Sequence, residues 1–172
     1  MTTLSRSRLG LRPGGKRGRG AAGKTPFVAA VETTAERKPR RLRLTVVKGF
    51  RKKEIAALAK RDFATGSNIV TDGLSCWTAV TAAGCDHFPM LTGTGPQAAK
   101  WAPFKWVNTT LGNIKTALAG TYHHVSPKHA QRYLASYAWR FNRRFQLDTL
   151  TERLAYACAR TAPHPYQAII AG

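Results

Sequence analysis

Carboxylates are scarce in this chain of 172 residues. Eight Asp and Glu face 28 Lys and Arg, a formal net charge of +20 at pH 7. None precedes Glu32, and none lies between Asp86 and Asp148. Cysteine is also rare. Cys76, Cys85 and Cys158 form no C-x-x-C pair, which argues against a zinc ribbon and a disulfide framework. Three scattered cysteines read as small reduced core residues of a cytoplasmic protein. No apolar run approaches the length of a transmembrane helix. The basic N-terminus lacks the apolar stretch of a signal peptide. No internal repeat is visible.

What is present is an ordinary globular complement, 43% hydrophobic, in a chain long enough for one domain with a real core. The charge excess repels itself in the folded state, and a polyanionic partner relieves that cost. Nucleic acid is the first candidate, since phosphate neutralisation supplies most non-specific affinity. An anionic membrane surface is the alternative.

Residues 1–24 read as a separate basic arm. "RSRLGLRPGGKRGRGAAGK" is rich in Gly and Arg and lacks periodicity. Arg17 and Arg19 within it are candidate phosphate contacts. The rest, 25–172, reads as the folded domain. "FVAAVETT" is a short apolar strand. "RLRLTVV" alternates Leu42, Leu44 and Val46 on one face, a half-buried strand antiparallel to the first. Ile55, Leu58, Ala59 and Phe63 recur at helical spacing, with Gly66 as a stop. "SNIVTDG" is a brief strand, "LSCWTAVTAAG" a helix through Leu74, Trp77 and Val80, and "CDHFPML" another strand. "TGTGPQAAKWAPFKW" is a loop, and two helices close the chain, the first with Ser126 as a cap and Pro127 at its first position. A hairpin followed by alternating helices and strands indicates an α/β sheet with mixed pairing.

Asp72 ends an apolar strand just before a helix, where functional groups of open α/β sheets gather, and a carboxylate there suits Mg²⁺. On position alone it reads as a helix cap, and the two roles are compatible. Asn113 reads as a capping or turn residue beside Gly112, near a helix start. Lys115 follows two residues later, a spacing that does not share a helical face. His123, His124 and His129 lack partners at zinc-ligand spacing, so phosphate contacts or core packing suit them better. Tyr133, Tyr137 and Phe141, four apart, mark the buried stripe of a basic helix. Arg140, Arg143 and Arg144 lie beside the stripe. With no carboxylate nearby, they join Lys105, Lys128 and Arg132 as candidate DNA contacts.

Taken in order, "KTPFVAAVE", "TDGLSCW", "VNTTLGNIKTALAGTYH" and "RYLASYAWRFNRR" resemble the ISXO-like family of bacterial insertion-sequence transposases. The likeness runs from about Leu9 to Leu154. It implies a ribonuclease H-like fold and DNA transposition, by hydrolysis and strand transfer at phosphodiesters with two Mg²⁺ or Mn²⁺. It further implies Asp72 as the second acidic residue, Asn113 as the third member and metal ligand, and Lys115 as the lysine that follows. DNA, both element ends and target, becomes the expected partner, with the nucleoid as location, no membrane, and a possible homo-oligomer. Family members resemble "D-D-x-Y-L-G-G" where this chain reads "SRSRLGLRPGG". Ser5 falls in the slot of the first Asp, Arg6 in the next and Arg8 in that of the Tyr. The first strand is therefore expected to be degraded or missing, the N-terminus truncated and the domain inactive in this form. A non-catalytic DNA-binding protein of transposon origin is the second reading. A basic ribosomal-type scaffold is the third, and it needs neither "TDG" nor "LGNIK".

Overall fold

The computed structural model describes residues 1–9, 24–91, 102–122 and 125–171. Five strands form one mixed sheet: β1 (Thr2–Leu9), β2 (Thr25–Thr33), β3 (Pro39–Val46), β4 (Asn68–Thr71) and β5 (Asp86–Pro89), in the spatial order β3-β2-β1-β4-β5. The first three strands pair antiparallel; β1 with β4 and β4 with β5 pair parallel. The helices are α1 (Lys52–Asp62), α2 (Lys105–Thr121), α3 (Ala130–Asn142), α4 (Leu150–Arg160) and α5 (Tyr166–Ala171). A nine-residue 3-10 helix spans Ser75–Ala83. The expected α/β mixed sheet flanked by helices is the fold observed.

The sheet separates two cores. On one face Phe27, Ala29 and Val31 of β2 pack with Val107, Ile114 and Leu118 of α2 and Leu134 of α3. On the other, Leu4, Val28, Ala30 and Ile69 pack with Ile55 and Leu58 of α1 and Trp77 of the 3-10 helix. Apolar side chains on both faces explain why "FVAAV" is an uninterrupted apolar run: β2 is covered on both sides. Leu74, Trp77 and Val80 stand three apart, the period of a 3-10 helix, so they share one face.

Sheet edges attract further strands unless they are covered. α3 covers β3 with amide side chains. The Asn142 side chain accepts from the Leu42 amide at 2.7 Å and donates to the Leu42 carbonyl at 2.9 Å. Gln131 repeats this one stretch along, accepting from the Val46 amide at 2.8 Å and donating to the Leu44 carbonyl at 3.1 Å.

Four expectations change. Thr2–Leu9 is a complete strand at the sheet centre, paired with β2 along all eight residues, rather than an arm or a remnant. The stretch from Lys105 is helical, so Asn113 lies in the middle of α2 and not at a helix start. The Ser126 side chain makes no cap; Pro127–His129 is a 3-10 turn, and α3 begins at Ala130. α1 ends at Asp62, before Gly66, with the Phe63 amide donating to the Ala59 carbonyl. No helix among the described residues is long and apolar enough to cross a membrane.

Candidate active site and nucleic-acid interface

β4 runs from Asn68 to Thr71, and its next residue is Asp72. Gly73 then turns the chain with a positive φ of 76°. A Cβ there would sit 2.7 Å from Leu91 Cδ2, so the "TDG" glycine answers both backbone conformation and space. The Asp72 carboxylate is held on three sides. Its Oδ1 accepts from the Trp77 indole at 2.6 Å and from the Leu74 amide at 3.4 Å. Its Oδ2 lies 3.5 Å from Arg6 Nε. Asp72 thus supports the start of the 3-10 helix by accepting from the amide of Leu74, the residue that precedes it.

β1 and β4 pair with Thr2 opposite Ile69 and Thr3 opposite Val70. That pairing ends at Thr3, and Ser5, the hydroxyl that by resemblance takes the slot of a first acidic residue, lies two residues further along β1. The cation next to Asp72 comes from the following residue, Arg6. Arg6 and Arg8 both lie over the Phe50 ring, at 5.9 and 5.6 Å from its centroid. Burial, and then the Asp72 charge, push the neighbouring Cys76 thiol up, with Arg6 opposing.

The remaining carboxylates are elsewhere. Asp62, fully buried, is gripped by Arg43 at 2.8 Å and Arg61 at 2.9 Å. Burial alone would raise it, but the Arg61 hydrogen bond and the two guanidinium charges hold it below the usual carboxylate range. Glu32 pairs with Arg40. Asp86 stands opposite Asn68, at the other end of β4 from Asp72. His87 of β5 lies 2.8 Å from the Thr71 hydroxyl, and burial lowers its pKa. Among the described residues, which include every Asp and Glu of the chain, no three His, Cys, Asp or Glu group to hold a metal ion. A two-cation centre, with its ions about 4 Å apart, needs several negative ligands around them. One carboxylate already facing a guanidinium does not supply it, so the residues present do not fit a pair of divalent cations.

α2 is tied to β1 where the Thr3 hydroxyl donates to the Pro103 carbonyl at 3.0 Å. It buries Val107, Thr110, Leu111, Ile114 and Leu118. Asn113 is exposed and shares a flank with Trp106, whose indole donates to the Arg37 carbonyl at 2.6 Å. Arg37 belongs to the β2–β3 turn. Asn108 and Lys115, seven residues and about two turns apart, share the opposite flank. The structure brings together Asp72 and Arg6; Asn113 and Lys115 are exposed on α2. Asn108 is half-buried.

The candidate DNA contacts divide. Lys105, Lys128, Arg132 and Arg140 are exposed. Arg132 faces the His164 ring at 3.0 Å. Arg143 lies over the Trp139 ring at 4.3 Å and donates to the Trp139 carbonyl, with its Nε buried and unpartnered among the described residues. Arg144 lies between the Phe141 and Phe145 rings and donates to the Phe141 and Pro39 carbonyls. Burial lowers its pKa. Arg144 thus ties the end of α3 to the start of β3, while Arg143 folds back on α3. Arg17, Arg19, His123 and His124 lie outside the described residues. His129 is half-buried, with Nδ1 unpartnered among them. Cys76 and Cys85 are buried free thiols; Cys158 is free and exposed on α4.

A family model of the ISXO2-like transposase domain matches residues 7–142. No curated protein matches the chain.

Proposed function

The chain belongs to the ISXO2-like transposase domain family, and from that premise we propose that in this form it holds duplex DNA without cutting it. The family's setting is DNA transposition. The observation that carries the narrower reading is the environment of Asp72: one carboxylate with an arginine 3.5 Å away.

The argument is one of charge. In-line displacement at a phosphodiester is assisted when two metal ions stabilise the attacking and leaving oxygens. Those ions are retained by negative ligands. Ser5 contributes none, an amide such as Asn108 or Asn113 contributes none, and Asp72 is offset by Arg6. Mg²⁺ or Mn²⁺ chemistry belongs to the family resemblance, while this chain's residues favour binding alone. Asn113 with Lys115 is the pair that the family resemblance proposes for the third position.

Binding follows from the +20 charge and from exposed Lys105, Lys128, Arg132 and Arg140. Fluorescence anisotropy of a labelled duplex, titrated across salt concentrations, tests it. If about six phosphates are neutralised, log K against log salt should fall with a slope of roughly −5, at about −0.9 per phosphate. A slope near zero contradicts the reading. A homo-oligomer and a nucleoid location go with the reading as further proposals; sedimentation in the presence and absence of DNA tests the first.

A further inference from the structure

We propose that Arg6 is the resident cation of this site: it stands beside Asp72 where a metal ion would otherwise be needed, and it offers its terminal guanidinium nitrogens to a DNA phosphate. The inference deepens the DNA-binding reading above and rests on it.

Three observations converge. Arg6 Nε faces Asp72 Oδ2 at 3.5 Å, which anchors one edge of the planar group. The side chain is 30% exposed, and among the described residues its terminal nitrogens have no hydrogen-bond partner. A guanidinium carries five N–H donors in a fixed fork, so an edge committed to a carboxylate leaves donors for a second anion. Lastly, Phe50 lies beneath both Arg6 and Arg8, giving the pair an aromatic floor that fixes their planes.

A divalent ion between a carboxylate and a phosphate does two things: it neutralises both, and it polarises the phosphate. A guanidinium, with one positive charge, bridges the two anions while offsetting only one of their charges, and binds the phosphate by two parallel hydrogen bonds. It generates no bound hydroxide. The site is thereby converted from one that reacts with a phosphodiester to one that docks it, with no requirement for metal. Asp72 becomes a positioning residue for Arg6. Trp77, which donates to the other carboxylate oxygen at 2.6 Å, holds Asp72 in turn.

The test compares three full-length proteins on the same labelled duplex, in EDTA and in Mn²⁺. The wild-type chain should bind equally in EDTA and in Mn²⁺ at matched ionic strength, and calorimetry with Mn²⁺ alone should give no saturable heat. Arg6→Gln should make the salt slope shallower by about 0.9 and weaken binding about eightfold at 0.1 M salt. Asp72→Asn breaks the same ion pair but keeps the Arg6 charge, so it should bind more tightly than wild type. Opposite signs for the two variants separate phosphate docking from loss of a structural contact, which would weaken both alike. Saturable, Asp72-dependent Mn²⁺ binding by the wild type overturns the inference. So does an Arg6→Gln slope equal to the wild-type slope. A wild-type slope near zero instead rejects the DNA-binding reading itself, and the two failures are distinct.

Discussion

His87 gives the clearest titration at the level of single residues. Its ring faces the Thr71 hydroxyl at 2.8 Å, and burial lowers its pKa from 6.5. A lowered folded-state value means that the unfolded chain takes up the proton first. Stability is intact above the unfolded value and declines as pH falls below about 6.5. Thermal melts at about pH 7.5 and pH 5.5 should differ, and His87→Gln should reduce the difference. A His87→Gln protein with an unchanged pH dependence would show that another group titrates. Asn142 gives the clearest packing prediction. It satisfies both backbone groups of Leu42, which is 3% exposed. Asn142→Ala removes two hydrogen bonds at about 1 to 1.5 kcal/mol each, a loss of about 2 to 3 kcal/mol, readable in urea denaturation. A change below about 0.5 kcal/mol would mean that water replaces the amide fully.

The secondary-structure elements differ in how well the sequence announces them. β2 and β3 are evident from apolar alternation, because their burial depends on their own side chains. α1 and the 3-10 helix are evident from spacing. β1 is not. "TTLSRSRL" carries Ser and Arg at the sheet centre, and only Thr3, Leu4 and Leu9 are buried. Its strand state comes from long-range pairing with β2 and β4, which local pattern does not contain. The start of α2 is hidden for a related reason. Gly, Pro and Lys before Trp106 suggest a loop, yet helix begins at Lys105, which places Asn113 in mid-helix. Within α3 the arginines split by role. Arg144→Ala removes two carbonyl contacts and two ring contacts, and should lower the melting temperature by several degrees, at about 2 to 4 °C per kcal/mol for a chain of this size. Arg140→Ala should leave the melt unchanged and make the DNA salt slope shallower by about 0.9. Equal effects of both variants on binding, with neither altering the melt, would return Arg144 to the surface.

Across the whole molecule, charge and fold point the same way, but they are read from different evidence. The composition alone indicates a polyanionic partner. The match to the ISXO2-like transposase domain says which polyanion and in what setting. The ion pair of Arg6 with Asp72 then underlies the proposal that the chain holds DNA without cutting it, and only the three-dimensional structure shows that pair. α4 and α5 add exposed Leu154, Tyr156, Tyr166 and Ile170, with no buried residue in α4. The most direct measurement is a nicking and strand-transfer assay with the full chain and with Asp72→Asn, at protein concentrations that saturate the duplex, in Mg²⁺ and in Mn²⁺. The account predicts bound DNA and no cleavage above the Asp72→Asn background in either metal. Cleavage by the wild-type chain that disappears in Asp72→Asn would contradict it.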